Sequence, residues 1–127
     1  MKLRCTHNSI RLRLRKSDLT TLAETGKVEE SVRIGPVKQL SFTLLIDQGV
    51  HTLVADMKEG HLSIRLPEST AQSWIASQQV GIEEYLPLEG EERLHLLIEK
   101  DFPCQDRVDE DKSDTFWELS GDKPEVC

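Results

Sequence analysis

The chain has 127 residues, of which 37% are hydrophobic and 31% charged, with a formal net charge of −7. That apolar content is enough for one core. The acidic balance and the 5% aromatic content argue against a nucleic-acid surface, and no run approaches the roughly 20 apolar residues of a membrane helix.

Cys5, Cys104 and Cys127 lack CxxC spacing, so free thiols in a reducing compartment are expected. The opening residues show no apolar stretch followed by a small-residue cleavage site, and a cytoplasmic location is expected. Charge is unevenly spread. Lys2, Arg4, Arg11, Arg13, Arg15 and Lys16 fall in the first sixteen residues with no acid among them, whereas residues 99–127 hold ten acids against four bases.

In chain order, residues 2–7 and 10–15 read as two strands around Asn8-Ser9, because Asn tolerates the positive φ of a tight turn. Ser17 is placed to cap a short helix with apolar positions Leu19, Leu22 and Ala23, which Gly26 would close in the left-handed conformation. Strands follow over 28–34 and 40–47, separated by Gly35-Pro36. The second half repeats this order. Residues 51–58 and 62–66 flank Glu59-Gly60, Pro67 opens a helix carrying Ala71, Trp74 and Ile75, and strands follow over 80–86 and 94–99.

A single shift of 52 residues carries Leu12-Arg13-Leu14 onto Ile64-Arg65-Leu66 and Leu44-Leu45-Ile46-Asp47 onto Leu96-Leu97-Ile98-Glu99. It also pairs Ser17 with Ser69, Leu22 with Trp74, Val28 with Val80, Ile34 with Leu86 and Phe42 with Leu94. A repeat of this length is a supersecondary unit that needs its neighbour to cover its apolar face. The expected fold is α+β: a duplicated strand-strand-helix-strand-strand unit giving eight mostly antiparallel strands in a barrel-like or strongly curved sheet, with two short helices. The expected domain spans residues 1–101, in halves of about 1–50 and 51–101. An acidic, loosely ordered tail over 102–127 is broken by Phe116-Trp117-Glu118-Leu119.

Chemistry is sparse. Ile10-Arg11-Leu12-Arg13-Leu14-Arg15 alternates, so Arg11, Arg13 and Arg15 line one face at intervals of roughly 7 Å. Guanidinium forks so spaced suit a phosphate or carboxylate, and Arg65 is the repeat partner of Arg13. The competing reading is a solvated face with cross-strand acids such as Glu29 or Glu30. Cys5 and His7 share a strand face and would need Cys104 and His51 or a carboxylate to hold zinc. A buried thiol beside a turn histidine is preferred, and no metal or cofactor is assigned. His95 reads as an outward-facing strand residue, and His61 as a residue beside a turn. Nucleophile elbows and phosphate-binding glycine loops do not occur. The run Asp106, Asp109, Glu110, Asp111, Asp114 lacks the glycine and closing glutamate of a calcium loop. The tail is expected to settle on the arginine strand, with Phe116 and Trp117 as apolar anchor.

Met1-Lys2-Leu3-Arg4, Asn8-Ser9-Ile10-Arg11-Leu12-Arg13-Leu14 and Glu99-Lys100-Asp101-Phe102 resemble a family of small bacterial proteins of unknown function, a resemblance that implies no activity. The duplicated architecture is also similar to CYTH-type triphosphate tunnel enzymes. Their first strand carries E-x-E-x-K, where this chain has Lys2-Leu3-Arg4-Cys5-Thr6.

Two functions follow as expectations. One is a non-catalytic domain binding a partner or a small anionic ligand through Arg11, Arg13, Arg15 and Arg65. The other is a phosphoester- or triphosphate-processing enzyme that uses the same arginines inside a barrel with Glu83 or Glu84.

Overall fold

The computed structural model describes residues 1–103 and 113–119. The chain runs β1 (Lys2–Thr6), β2 (Ser9–Leu14), α1 (Lys16–Thr25), β3 (Lys27–Arg33), β4 (Gln39–Asp47), then β5 (Val54–Lys58), β6 (His61–Pro67), α2 (Glu68–Ile75), β7 (Gly81–Pro87) and β8 (Arg93–Lys100). A single 3-10 turn, Trp117–Leu119, follows. None of the described helices is long and apolar enough to cross a membrane.

The eight strands form two four-stranded sheets, ordered β1-β2-β8-β7 and β3-β4-β6-β5. This corrects the expected barrel. Each sheet ends on two edge strands, and no closed barrel forms among the described residues. The helices are the reason. After each β-hairpin, a helix carries the chain to the other sheet, so each half contributes two strands to each sheet. The central pairs, β2 with β8 and β4 with β6, are consequently parallel, and the outer four pairs are antiparallel.

The strand registers of the two halves match, with one break in the offset. Arg13 lies opposite Lys2 as Arg65 lies opposite Val54, 52 residues on. Beyond the helices the offset becomes 54: Lys27 lies opposite Leu45 as Gly81 lies opposite Glu99. The ungapped shift is therefore wrong from β3 onward. Gly26 alone joins α1 to β3, but residues 76–80 join α2 to β7. The counterpart of buried Val28 is buried Ile82, and Val80 is 48% exposed.

Alternation puts Leu12, Leu14, Ile82, Leu96 and Ile98 of the first sheet and Val28, Phe42, Leu44, Leu62, Ile64 and Leu66 of the second into one core, roofed by Leu22, Ala71 and Trp74. Leu22 and Trp74 occupy matching helical positions and are fully buried. The indole Nε1 donates to Val80 O at 3.1 Å, which satisfies its one polar atom.

Helix α1 begins two residues earlier than a cap at Ser17 predicts. Arg15 is the N-cap, and the Asp18 carboxylate accepts its backbone N–H at 2.9 Å. Gly26 closes the helix at φ 79°, as expected, donating to Leu22 O at 2.8 Å. Asp18 also takes the Met1 ammonium at 2.8 Å, which Glu30 shares at 3.0 Å. Burial alone would raise the Asp18 pKa, but the ammonium and the Arg15 N–H outweigh it and hold the group below its ordinary value of 3.8. In the second half the Leu53 N–H occupies the same place and donates to Glu84 at 3.1 Å.

Candidate ligand-binding face

The outer face of the first sheet is built by register. Leu3, Ile10, Leu12 and Leu14 turn to the core, so Lys2, Arg4, Arg11 and Arg13 turn away from it. Lys2 lies directly opposite Arg13, and Arg4 opposite Arg11. Like charges set opposite each other on a sheet are unfavourable, and parallel strand β8 supplies compensation. Glu99, in register with Arg13, takes Arg13 Nε at 3.3 Å and Arg11 Nε at 3.4 Å on one oxygen. Asp101 holds Lys2 Nζ at 2.9 Å and lies 3.8 Å from Arg13 Nη1. Arg13 and Glu99 are both buried, so removing either partner is costly, because the other charge is left in the interior with its compensation reduced. The Phe102 ring lies 5.5 Å from the Arg13 guanidinium.

The predicted arginines do not all meet. Strand β2 ends at Leu14, so Arg15 leaves the row and pairs with Asp18 at 3.4 Å. Arg65 sits on the second sheet and binds Asp47 at 2.7 Å. That is the equivalent of the Arg13–Asp101 contact. The expected partners Glu29 and Glu30 are elsewhere: Glu29 accepts from Thr43, and Glu30 binds Met1. Glu83 and Glu84 point to opposite sides of β7, so they cannot serve one site together.

Sequence reasoning missed one row. Ser9, His95 and Tyr85 are register neighbours across β2, β8 and β7. His95 Nδ1 lies 3.2 Å from Ser9 Oγ, and its Nε2 lies 2.9 Å from Glu83 Oε2. If Nε2–H is donated to Glu83, Nδ1 accepts from Ser9. The Tyr85 ring stacks on the imidazole at 4.5 Å. The second sheet carries a counterpart. His61 bonds both Ser41 and Thr43, and Thr43 donates to Glu29 at 3.2 Å. His61 does follow the Glu59-Gly60 turn, but as the first residue of β6 it also has two side-chain partners. The sequence signal lay in the 54-residue spacing of Ser41 and His95, and of Glu29 and Glu83, which the ungapped shift conceals.

Among the described residues no three His, Cys, Asp or Glu side chains gather as a metal site. Cys5 is exposed rather than buried, and Cys104 lies outside the described residues. So do most of the acids assigned to the tail, at 104–112 and 120–127, and with them its expected seat on the arginines. Phe116 is 77% exposed and is not the anticipated anchor. Between α1 and α2 a groove of about 720 Å³ has Leu22, Ala23, Ile46 and Ile75 on its apolar side and Gln48, Glu68 and Gln72 on its polar side.

Residues 1–119 match the family described as "Family of unknown function (DUF7009)". The chain belongs to this family. No curated protein and no solved structure matches the chain, so the similarity to triphosphate tunnel enzymes gains no support.

Proposed function

We propose that this DUF7009 member is a non-catalytic binding domain that takes a small anionic ligand, or an acidic partner, on the outer face of its first sheet. The observation that carries this reading is the register of β1 and β2, which sets Arg4 against Arg11 and Lys2 against Arg13. Four cations on two adjacent strands disfavour the sheet by themselves. An anion that adds to Glu99 and Asp101 as counter-charge relieves that repulsion, and guanidinium forks fit phosphate or carboxylate oxygens. Arg11 and Arg13 are the central residues. Arg15 and Arg65 lie on other surfaces and have no part in this face. The enzymatic alternative needs a basic barrel interior, which two open sheets do not provide.

The test is a titration of the whole chain with inorganic phosphate and with pyrophosphate, followed by amide chemical shifts. Shifts confined to residues 2–13 and 95–101 are expected, with pyrophosphate binding more tightly. Arg11→Glu should weaken binding at least tenfold, the size of one lost charge-assisted contact of about 1.4 kcal/mol, while Arg65→Glu leaves it unchanged. Equal losses in the two variants would reduce the effect to net charge and defeat the proposal.

A further inference from the structure

Two hairpin tips occupy equivalent places with opposite chemistry. Strands β2 and β6 run into α1 and α2, and β8 and β4 run parallel to them. Residues 34–38 and 88–92, which precede β4 and β8, therefore both sit at the end of the molecule away from the helices. Their backbones agree: Ile34 N–H donates to Lys38 O and Leu88 N–H to Glu92 O, each at 2.9 Å. Their side chains do not. The first tip carries Arg33 and Lys38 with no acid between residues 32 and 40, and the second carries Glu89, Glu91 and Glu92 beside Arg93, a net charge of −2 against +2.

Both tips also expose aliphatic side chains. Val37 is 93% exposed and Ile34 is 69% exposed, and Leu88 is 44% exposed on the other tip. Arg33 is held in place by donation to Pro36 O at 2.9 Å. Burying exposed aliphatic groups of this kind is the usual driving term of association. The tips continue into β3 and β7, which are edge strands of their sheets.

We propose that two copies of this chain associate end to end about a twofold axis, the basic tip of each seated on the acidic tip of the other. Closure follows from the placement. Both tips project from one end, so a single twofold satisfies the basic–acidic contact twice and leaves neither tip open, as an isologous interface requires. Apolar contacts among Ile34, Val37 and Leu88 supply affinity, and the charges set partner and orientation. The patch is small beside the ~1,600 Å² of a standard interface, so the expected Kd is between about 10 µM and about 1 mM. The tips are separate from the cation face and stand or fall independently of it.

Sedimentation velocity on the full chain, from about 10 µM to about 1 mM at low salt, should show the 14.5 kDa species giving way to one of twice that mass. Added salt should weaken it. Val37→Asp should raise the Kd at least tenfold without changing the circular dichroism spectrum, because the residue is exposed. A copy with Arg33→Glu and Lys38→Glu has two acidic tips, and a copy with Glu89→Lys, Glu91→Lys and Glu92→Lys has two basic ones. Each should be monomeric alone, and an equimolar mixture should form a 1:1 dimer. A wild-type chain that stays monomeric throughout overturns the proposal, as do growing head-to-tail oligomers or a dimer indifferent to these substitutions.

Discussion

The outer faces of the two sheets share a backbone and differ in chemistry. At the positions of Lys2, Arg4, Arg11 and Arg13 on the first sheet, the second carries Val54, Asp56, Ser63 and Arg65. Only the arginine next to the end of the parallel partner is kept: Arg13 near Asp101 and Arg65 on Asp47. That pair ties the end of one half's second strand to the end of the other half's fourth strand, which both halves of the fold require. The remaining cations serve no such shared purpose. Inner positions are constrained by packing, so two copies of a unit diverge on their outer faces, and the divergent face is where binding is to be sought.

The comparison rests first on the halves sharing one core, and the largest expected effect tests this. Trp74→Ala should cost about 3–5 kcal/mol and Leu22→Ala about 2–5 kcal/mol, each lowering a single cooperative denaturant transition. Two separable transitions, or wild-type stability in either variant, would show that the halves do not share a core.

Next in size is the contact that distinguishes the entries to the two halves: an ammonium on Asp18 and Glu30 in the first, a peptide N–H on Glu84 in the second. Asp18→Asn should cost about 3 kcal/mol near neutral pH, because it leaves a buried cation with a weaker partner. The Asp18 pKa is lower in the folded state than in the unfolded chain. Its contribution is therefore complete above the unfolded value, near pH 4, and is lost as pH falls through the folded value. Acid titration followed by circular dichroism should show a steeper loss below about pH 4 in wild type than in Asp18→Asn. Parallel curves would remove Asp18 from the acid response.

The smallest effect is the sharpest test of the outer faces. Placing Lys at Val54 and Arg at Asp56 and at Ser63 copies the cation set onto the second sheet. It should lower stability by about 0.2–1 kcal/mol per opposed like-charge pair and confer phosphate binding on the second sheet, read from amide shifts of residues 54–65. A stable graft that binds nothing would locate the specificity in Glu99 and Asp101, whose second-sheet counterparts are Leu45 and Asp47, rather than in the cations.

Residue patterning determined the elements. Period-two alternation of Ile10, Leu12 and Leu14 identified β2 and its arginine face, and Leu19, Leu22 and Ala23 identified α1. Gly26 and Asn8 marked a helix end and a turn because few other residues adopt positive φ at low cost. These are local properties, and each rests on a few adjacent residues. Which strand lies beside which is not local. The parallel pairing of β2 with β8 and β4 with β6, the two open sheets in place of a barrel, and the Ser9–His95–Glu83 row all depend on where a helix of ten or eight residues delivers the chain. The additional residues between α2 and β7 hid the true correspondence of the halves from an ungapped shift. The parallel registers set which histidine faces which serine, His95 with Ser9 and His61 with Ser41. Glu99, rather than Glu29 or Glu30, became the partner of Arg11 and Arg13 for the same reason: a parallel neighbour some 86 residues away in sequence is chosen by the burial of two apolar inner faces, to which charges on the outer face contribute little.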